Sequence, residues 1–185
     1  MNHIHPTALI GSNVELGDGN IIGPYCVIGG AYWTDNKDLC NGKVYIGNNN
    51  TIVNHVIILS PFRTEETRIG DWNNIYSQCF LGHDSQIGNH VIMTAACRLA
   101  GVVTIQDYVN LGIGTKIHQR KVIGEGAMLG MGSVIIKHIV PYDKVAGIPA
   151  KSIGLNDILI NRNQVSLKYV FQKRREFVIQ YPESL

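Results

Sequence analysis

The chain has 185 residues, 45% of them hydrophobic and 16% charged, with a formal net charge of +2. That length can bury a sizeable core in one compact unit, and the near-neutral charge removes the electrostatic case for binding nucleic acid or a membrane surface. No apolar run approaches the roughly 18 residues of a membrane span, and a periodic pattern starts within the first few residues. The expectation is therefore no membrane insertion, no signal peptide and a cytoplasmic location.

From Ile4 onward, every sixth residue is aliphatic. Ile4, Ile10, Leu16, Ile22 and Ile28 form a first run, and Ile46, Ile52 and Ile58 a second. A third run goes from Ile69 through Leu81, Met93, Leu99, Ile117 and Leu129 to Ile135, apolar at every sixth position. Neither a helix period of about 3.6 nor a strand period of 2 gives a strict six. The next residue is often glycine, as at Gly11, Gly17, Gly47 and Gly88, and the fourth residue on is small or narrow, as at Ala8, Cys26, Val91 and Ser133. The pattern predicts an all-β fold, a parallel β-helix of hexapeptide repeats in which three hexads make one triangular coil. The aliphatic residue points inward, the small residue fills the space beside it, and glycine or asparagine relieves the corners. Coils stack as parallel strands about 4.8 Å apart, and since one coil cannot bury its own apolar face, the ends need caps. Cys26, Cys79 and Cys97 take the inward small position, where a thiol behaves as a small hydrophobe, while Cys40 lies in an irregular stretch. No disulfide framework is read, in keeping with a reducing cytoplasm.

Three breaks interrupt the beat. The first falls between Ile28 and Ile46, near 29–45, where a spacing of 18 keeps phase but the aromatic and charged content does not suit a wall. The second, near 60–68, slips the spacing to eleven. The third follows Ile139, where Pro141 and the stretch Val145 to Lys151 read as a loop leaving the β-helix. Beyond Asn163, the apolar residues Val165, Leu167, Val170, Phe171, Phe177 and Val178 alternate with basic ones as in an amphipathic helix, read as a cap on a wall or a neighbouring subunit. The organisation expected is a β-helix over 1–153 and a short helical extension over 154–185.

Two histidines stand on outer positions. His83 follows Leu81 by two residues and His118 follows Ile117 by one, and those aliphatics are six hexads apart, on the same prism face two coils along. A corner histidine cannot fill the core. It is either a solvated surface group or a general base, since imidazole titrates near pH 6.5 and can take a proton from a hydroxyl or amine and return it to a leaving thiol. His83 also has a carboxylate, Asp84, directly beside it. A zinc site would need two ligands close on one coil and a third on another, and His83 with His90 spans a full corner, so no metal is expected.

The run Gly82-His83-Asp84-Ser85-Gln86-Ile87-Gly88-Asn89, then Leu99-Ala100-Gly101, Gly114-Thr115-Lys116-Ile117-His118-Gln119 and Gly154-Leu155-Asn156 resembles the UDP-N-acetylglucosamine O-acyltransferase family of lipid A synthesis. Asn36-Lys37-Asp38-Leu39 ahead of Val44-Tyr45-Ile46-Gly47 is similar to that family's substrate loop. The likeness covers about 1–163, and it implies a left-handed winding and a chain shortened relative to the family norm. It makes His83 the general base, Asp84 its support and the Gly101 N–H a donor to the thioester oxyanion. His118 and Gln119 would line the sugar-nucleotide side, Asp38 would touch the acceptor sugar, and Asn156 and Arg162 would meet the pantetheine arm or the nucleotide phosphates. Met131, with Met128 before it, would line and end an acyl groove, which implies shorter acyl chains. Val102, Phe80, Leu59 and Cys40 stand where the family has histidines and a lysine, so the acceptor pocket is remodelled. Val145 to Lys151 is also similar to the exit loop of acetyl-coenzyme A-dependent hexapeptide acetyltransferases, where Lys151 would meet a donor phosphate.

The reading is an acyltransferase that moves an acyl group from an acyl carrier protein or coenzyme A thioester to a hydroxyl or amine of a sugar or nucleotide sugar, with no bound cofactor. Flat apolar walls and the resemblance together imply a homotrimer. Two alternatives stand beside it: a short-chain acetyl-coenzyme A-dependent acetyltransferase acting on an amino sugar or small amine, and a non-catalytic β-helix used for assembly or ligand sensing.

Overall fold

The structure is a computed structural model that describes residues 1–30 and 42–184. The hexads fold as read. Strands mostly two residues long succeed one another around a triangular prism, and each pairs in parallel with strands of the coils above and below. Among the described residues, wall A has nine strands from His3–Ile4 onward, wall B seven from Leu9–Ile10 to Val134–Ile135, and wall C six from Val14–Leu16 to Val122–Ile123. Pairing keeps the 18-residue register: Phe80 opposes Arg98, Arg98 opposes Lys116, and Lys116 opposes Val134. The winding is the left-handed β-helix. Its axis is filled by the periodic aliphatics, with Ile28, Ile52, Ile75, Leu81, Leu99 and Ile135 fully buried. Cys26, Cys79 and Cys97 are buried free thiols, as expected for the inward small position.

Glycine plays a different part from the one expected. The left-handed corner residue is the third after the aliphatic, and it is seldom glycine: Trp72, Asp84, His90, Val102, Tyr108 and Arg120 have φ of 60°, 60°, 56°, 62°, 60° and 57°. The glycines just after the aliphatic sit where coils pass closely. A Cβ on Gly17 or Gly47 would lie 2.7 Å from a carbonyl oxygen of the next coil. A second feature is an interior amide column. Asn20, Asn50 and Asn73 are fully buried; Asn20 Oδ1 accepts the Asn50 N–H at 2.9 Å and Asn50 Oδ1 accepts the Asn73 N–H at 2.9 Å. Each Nδ2 donates to a glycine carbonyl, so no buried amide group is left unsatisfied.

Both early interruptions fall between a wall B strand and the wall C strand that follows it, at the B–C edge. Ile28 lies in wall B and Ile46 in wall C, adjacent walls, so the spacing of 18 does not return the chain to the same wall. Residues 31–41, with Asp38 and Cys40, lie outside the described residues. Ser60 to Glu65 is an insertion at the same edge one coil on, between strands Ile57–Leu59 and Glu66–Ile69. The stretch Val145 to Lys151 is not a loop. It belongs to an antiparallel hairpin, Asp143–Gly147 with Ala150–Leu155, added to the end of wall A. Helix α1 (Asp157–Arg162) and helix α2 (Leu167–Gln180) follow, capped by Asn156 and Ser166, whose side chains accept the Leu159 and Tyr169 N–H groups. Helix α2 docks Val170 against Tyr142 and Ile160, and Phe177 against Val122 and Val140. Leu167, Phe171 and Val178 of the expected apolar face remain exposed. No helix among the described residues is long and apolar enough to cross a membrane.

Candidate active site

Several of the candidate residues gather on the B–C edge. His83, Gly101 and Gln119 follow wall B strands that stack in register, so they occupy equivalent points on three successive coils, with His118 one residue earlier on the third. His83 and Gly101 touch: a Cβ on residue 101 would lie 2.2 Å from His83 Nε2. Only glycine leaves room for the imidazole there. The Gly101 N–H has no partner among the described residues, which leaves it able to donate to a ligand beside Nε2.

On its other side the imidazole is held by Asp84, whose Oδ2 lies 2.5 Å from His83 Nδ1. The Asp84 carboxylate is wholly buried, whereas a quarter of the His83 side-chain surface is open. The left-handed φ of Asp84, tolerable for an aspartate, turns its carboxylate back toward the preceding coil. There the 60–65 insertion wraps it. Asp84 Oδ1 accepts the N–H groups of Phe62 at 3.1 Å, Arg63 at 3.0 Å and Thr64 at 2.8 Å, and the Thr64 hydroxyl at 2.6 Å. Burial pushes the Asp84 pKa up, but the hydrogen bonds from the Thr64 hydroxyl, His83 and the Thr64 and Arg63 amides outweigh it and hold the pKa at about 2. Asp84 is therefore an anion at neutral pH. It accepts a hydrogen bond from the His83 Nδ1–H, and that fixes the tautomer with the Nε2 lone pair toward Gly101.

The other expected residues fall elsewhere. Met128 and Arg162 line a cavity of about 270 Å³, on wall A and against α1. Its walls include Trp72, His90 and Tyr108, corner residues one coil apart, and the His90 and Tyr108 rings stack with centroids 4.8 Å apart. Aromatic side chains every 18 residues at one corner are the signal in the sequence that marks this cavity. Asn156 borders this cavity, but its side chain is committed to structure: Nδ2 donates to the Gly126 carbonyl at 2.8 Å and Oδ1 caps α1. Met131 is 76% exposed at the A–B edge, a different edge from that of His83. Lys151 is exposed on the terminal hairpin and does not line the wall A cavity. The Phe62–Thr64 cradle was missed; the slipped spacing marked the loop, but nothing in its composition signals three converging amides. No group of three or more His, Cys, Asp or Glu among the described residues is placed to hold a metal ion.

No protein-family model matches the chain. It is 32% identical to the acyl-[acyl-carrier-protein]–UDP-N-acetylglucosamine O-acyltransferase of Pseudomonas putida (strain W619), over all of this chain and 86% of that protein. The alignment spans 223 positions against 185 residues, so the relative carries segments this chain lacks. Among solved structures, a UDP-N-acetylglucosamine acyltransferase from Bacteroides fragilis superposes with a TM-score of 0.86 at 27% identity, covering 97% of this chain and 71% of the other. The Arabidopsis enzyme superposes at 0.76, also at 27% identity, over 96% of this chain and 80% of that one. With a full-length match of this kind and a histidine, a carboxylate and an open amide on one edge of a left-handed β-helix, the chain is an acyltransferase belonging to the UDP-N-acetylglucosamine O-acyltransferase family.

Proposed function

We propose that this protein transfers an acyl group from acyl carrier protein to a hydroxyl of UDP-N-acetylglucosamine, with His83 as general base. The observation that carries the reading is the contact of His83 Nε2 with Gly101, opposite an ionised Asp84 on Nδ1. In the reaction, Nε2 takes the proton of the acceptor hydroxyl as its oxygen adds to the thioester carbonyl. The carbonyl oxygen becomes an oxyanion, to which the Gly101 N–H donates. Collapse of this adduct restores the carbonyl, breaks the carbon–sulfur bond and expels the thiolate, which recovers the proton from the imidazolium. Asp84 stabilises that imidazolium without taking its proton. The donor and acceptor are those in the names of the relatives.

The working form we propose is a homotrimer in the cytoplasm, with each site shared between two subunits. Support comes from the distribution of groups: His83, Gly101 and His118 lie on the B–C edge, whereas Arg162 and Met128 line the wall A cavity. That cavity touches strands at the same heights along the prism as His83, Gly101 and Gln119. Three prisms with parallel axes bring the edge of one against the cavity of the next at matching height. The test is turnover of acyl carrier protein thioesters and matching coenzyme A thioesters against a panel of nucleotide sugars. Acylation of UDP-N-acetylglucosamine from the carrier-protein donor is expected, and strict preference for coenzyme A donors or an amine acceptor would overturn the assignment.

A further inference from the structure

The 60–65 insertion supplies none of the reacting groups assigned above, yet it contributes four hydrogen-bond donors to one carboxylate. Three successive N–H groups form a cradle of the kind that binds anions, and the Thr64 hydroxyl closes it. That hydroxyl has one proton and two acceptors within reach, the Glu66 carbonyl at 2.9 Å and Asp84 Oδ1 at 2.6 Å. The shorter, charge-assisted contact takes the proton. Phe62 from the same insertion packs edge-on to the His83 ring, with centroids 5.7 Å apart and planes at 72°. One short segment thus fixes the carboxylate and flanks the imidazole.

The cradle decides which nitrogen of His83 carries the proton. A buried carboxylate stripped of donors favours its neutral form. A protonated Asp84 would donate to Nδ1, leave the hydrogen on Nε2 and present the wrong tautomer to the acceptor. We infer that Thr64 is a positioning residue for acyl transfer, its hydroxyl holding Asp84 as an acceptor so that the Nε2 lone pair of His83 faces the substrate. The inference rests on the assignment of His83 as base, and the 60–65 insertion is then part of the catalytic apparatus rather than a surface excursion.

The experiment compares Thr64→Val, Thr64→Ser and His83→Ala with the native protein, measuring kcat and both KM values with an acyl carrier protein thioester and UDP-N-acetylglucosamine. Valine keeps the shape and removes the hydroxyl; serine keeps the hydroxyl. Thr64→Val should lower kcat about 10- to 100-fold, the order of loss that follows misplacement of a reacting group, with each KM within about twofold. Thr64→Ser should retain kcat within about threefold. If Thr64→Val does not fold, Thr64→Ala set against Thr64→Ser makes the same comparison. Native kcat in Thr64→Val with His83→Ala inactive would overturn the role of Thr64 alone, as would equal losses in the Val and Ser variants. Full activity in His83→Ala would overturn the assignment beneath it.

Discussion

At His83 the imidazole is seated by what its neighbours lack. Gly101 has no side chain, and its corner has an ordinary backbone conformation, so alanine could be accommodated by the chain but not by the ring. Gly101→Ala should push His83 off its seat, since the new Cβ would stand 2.2 Å from Nε2. The ring is partly open to solvent and can swing away, so thermal stability should stay near native. Turnover should fall about 10²-fold or more, the scale of removing a general base. The check is a steady-state assay beside a thermal melt, and near-native turnover would show that the contact does not position the base. His83 was legible in the sequence because the hexad beat places it on an outer corner, and Asp84 follows by adjacency. Gly101 came from the family resemblance alone, and the pairing of strands shows that its spacing of 18 puts it in register with His83. The conformation of Asp84 was not legible, because any of several residue types can occupy the left-handed position three residues after an aliphatic.

At the scale of elements, the walls were read almost completely, since a strict period of six leaves one way to turn the aliphatics inward. The insertions were located but misread in part. A spacing of 18 between Ile28 and Ile46 counts as a whole coil in phase, and only the pairing of strands shows that the two residues occupy adjacent walls. The helical cap was expected from its pattern, but which side it buries depends on contacts the sequence does not state. Helix α2 is followed by Tyr181, which stacks on His138 with centroids 4.9 Å apart. His138 Nδ1 accepts the Val122 N–H at 3.0 Å, a bond available only to the neutral ring. Burial, then the Lys121 charge, hold the His138 pKa below its usual 6.5, against an opposing pull from Glu183. The unfolded or undocked chain therefore binds the proton more readily. The stabilisation is complete above pH 6.5 and is lost progressively as pH falls below it. Amide exchange in α2, corrected for intrinsic rates, should speed up between about pH 7 and pH 5 in the native protein. It should do so less in His138→Gln, which has no titrating ring. An equal pH response in both would place the weakness elsewhere.

The whole molecule is a rigid post with the candidate catalytic group on one edge and a lined cavity on another. Within one chain these do not meet, and the parallel stacking that makes the post leaves no hinge to bring them together. Association is the economical solution: flat walls, groups at common heights and a closed symmetry give three equal sites from one unequal prism. In the proposed trimer, Arg162 and His83 would act in the same site from different subunits. The direct measurement mixes two variants, His83→Ala and Arg162→Ala, each assayed alone and then after unfolding and refolding together. Each alone should be nearly inactive. Random reassociation at equal amounts gives about a quarter of the sites an intact His83 from one subunit and an intact Arg162 from the next, so the mixture should regain about a quarter of native turnover. A mixture no more active than its parents, with light scattering showing assembled protein, would contradict a site in which His83 of one subunit works on substrate held by its neighbour.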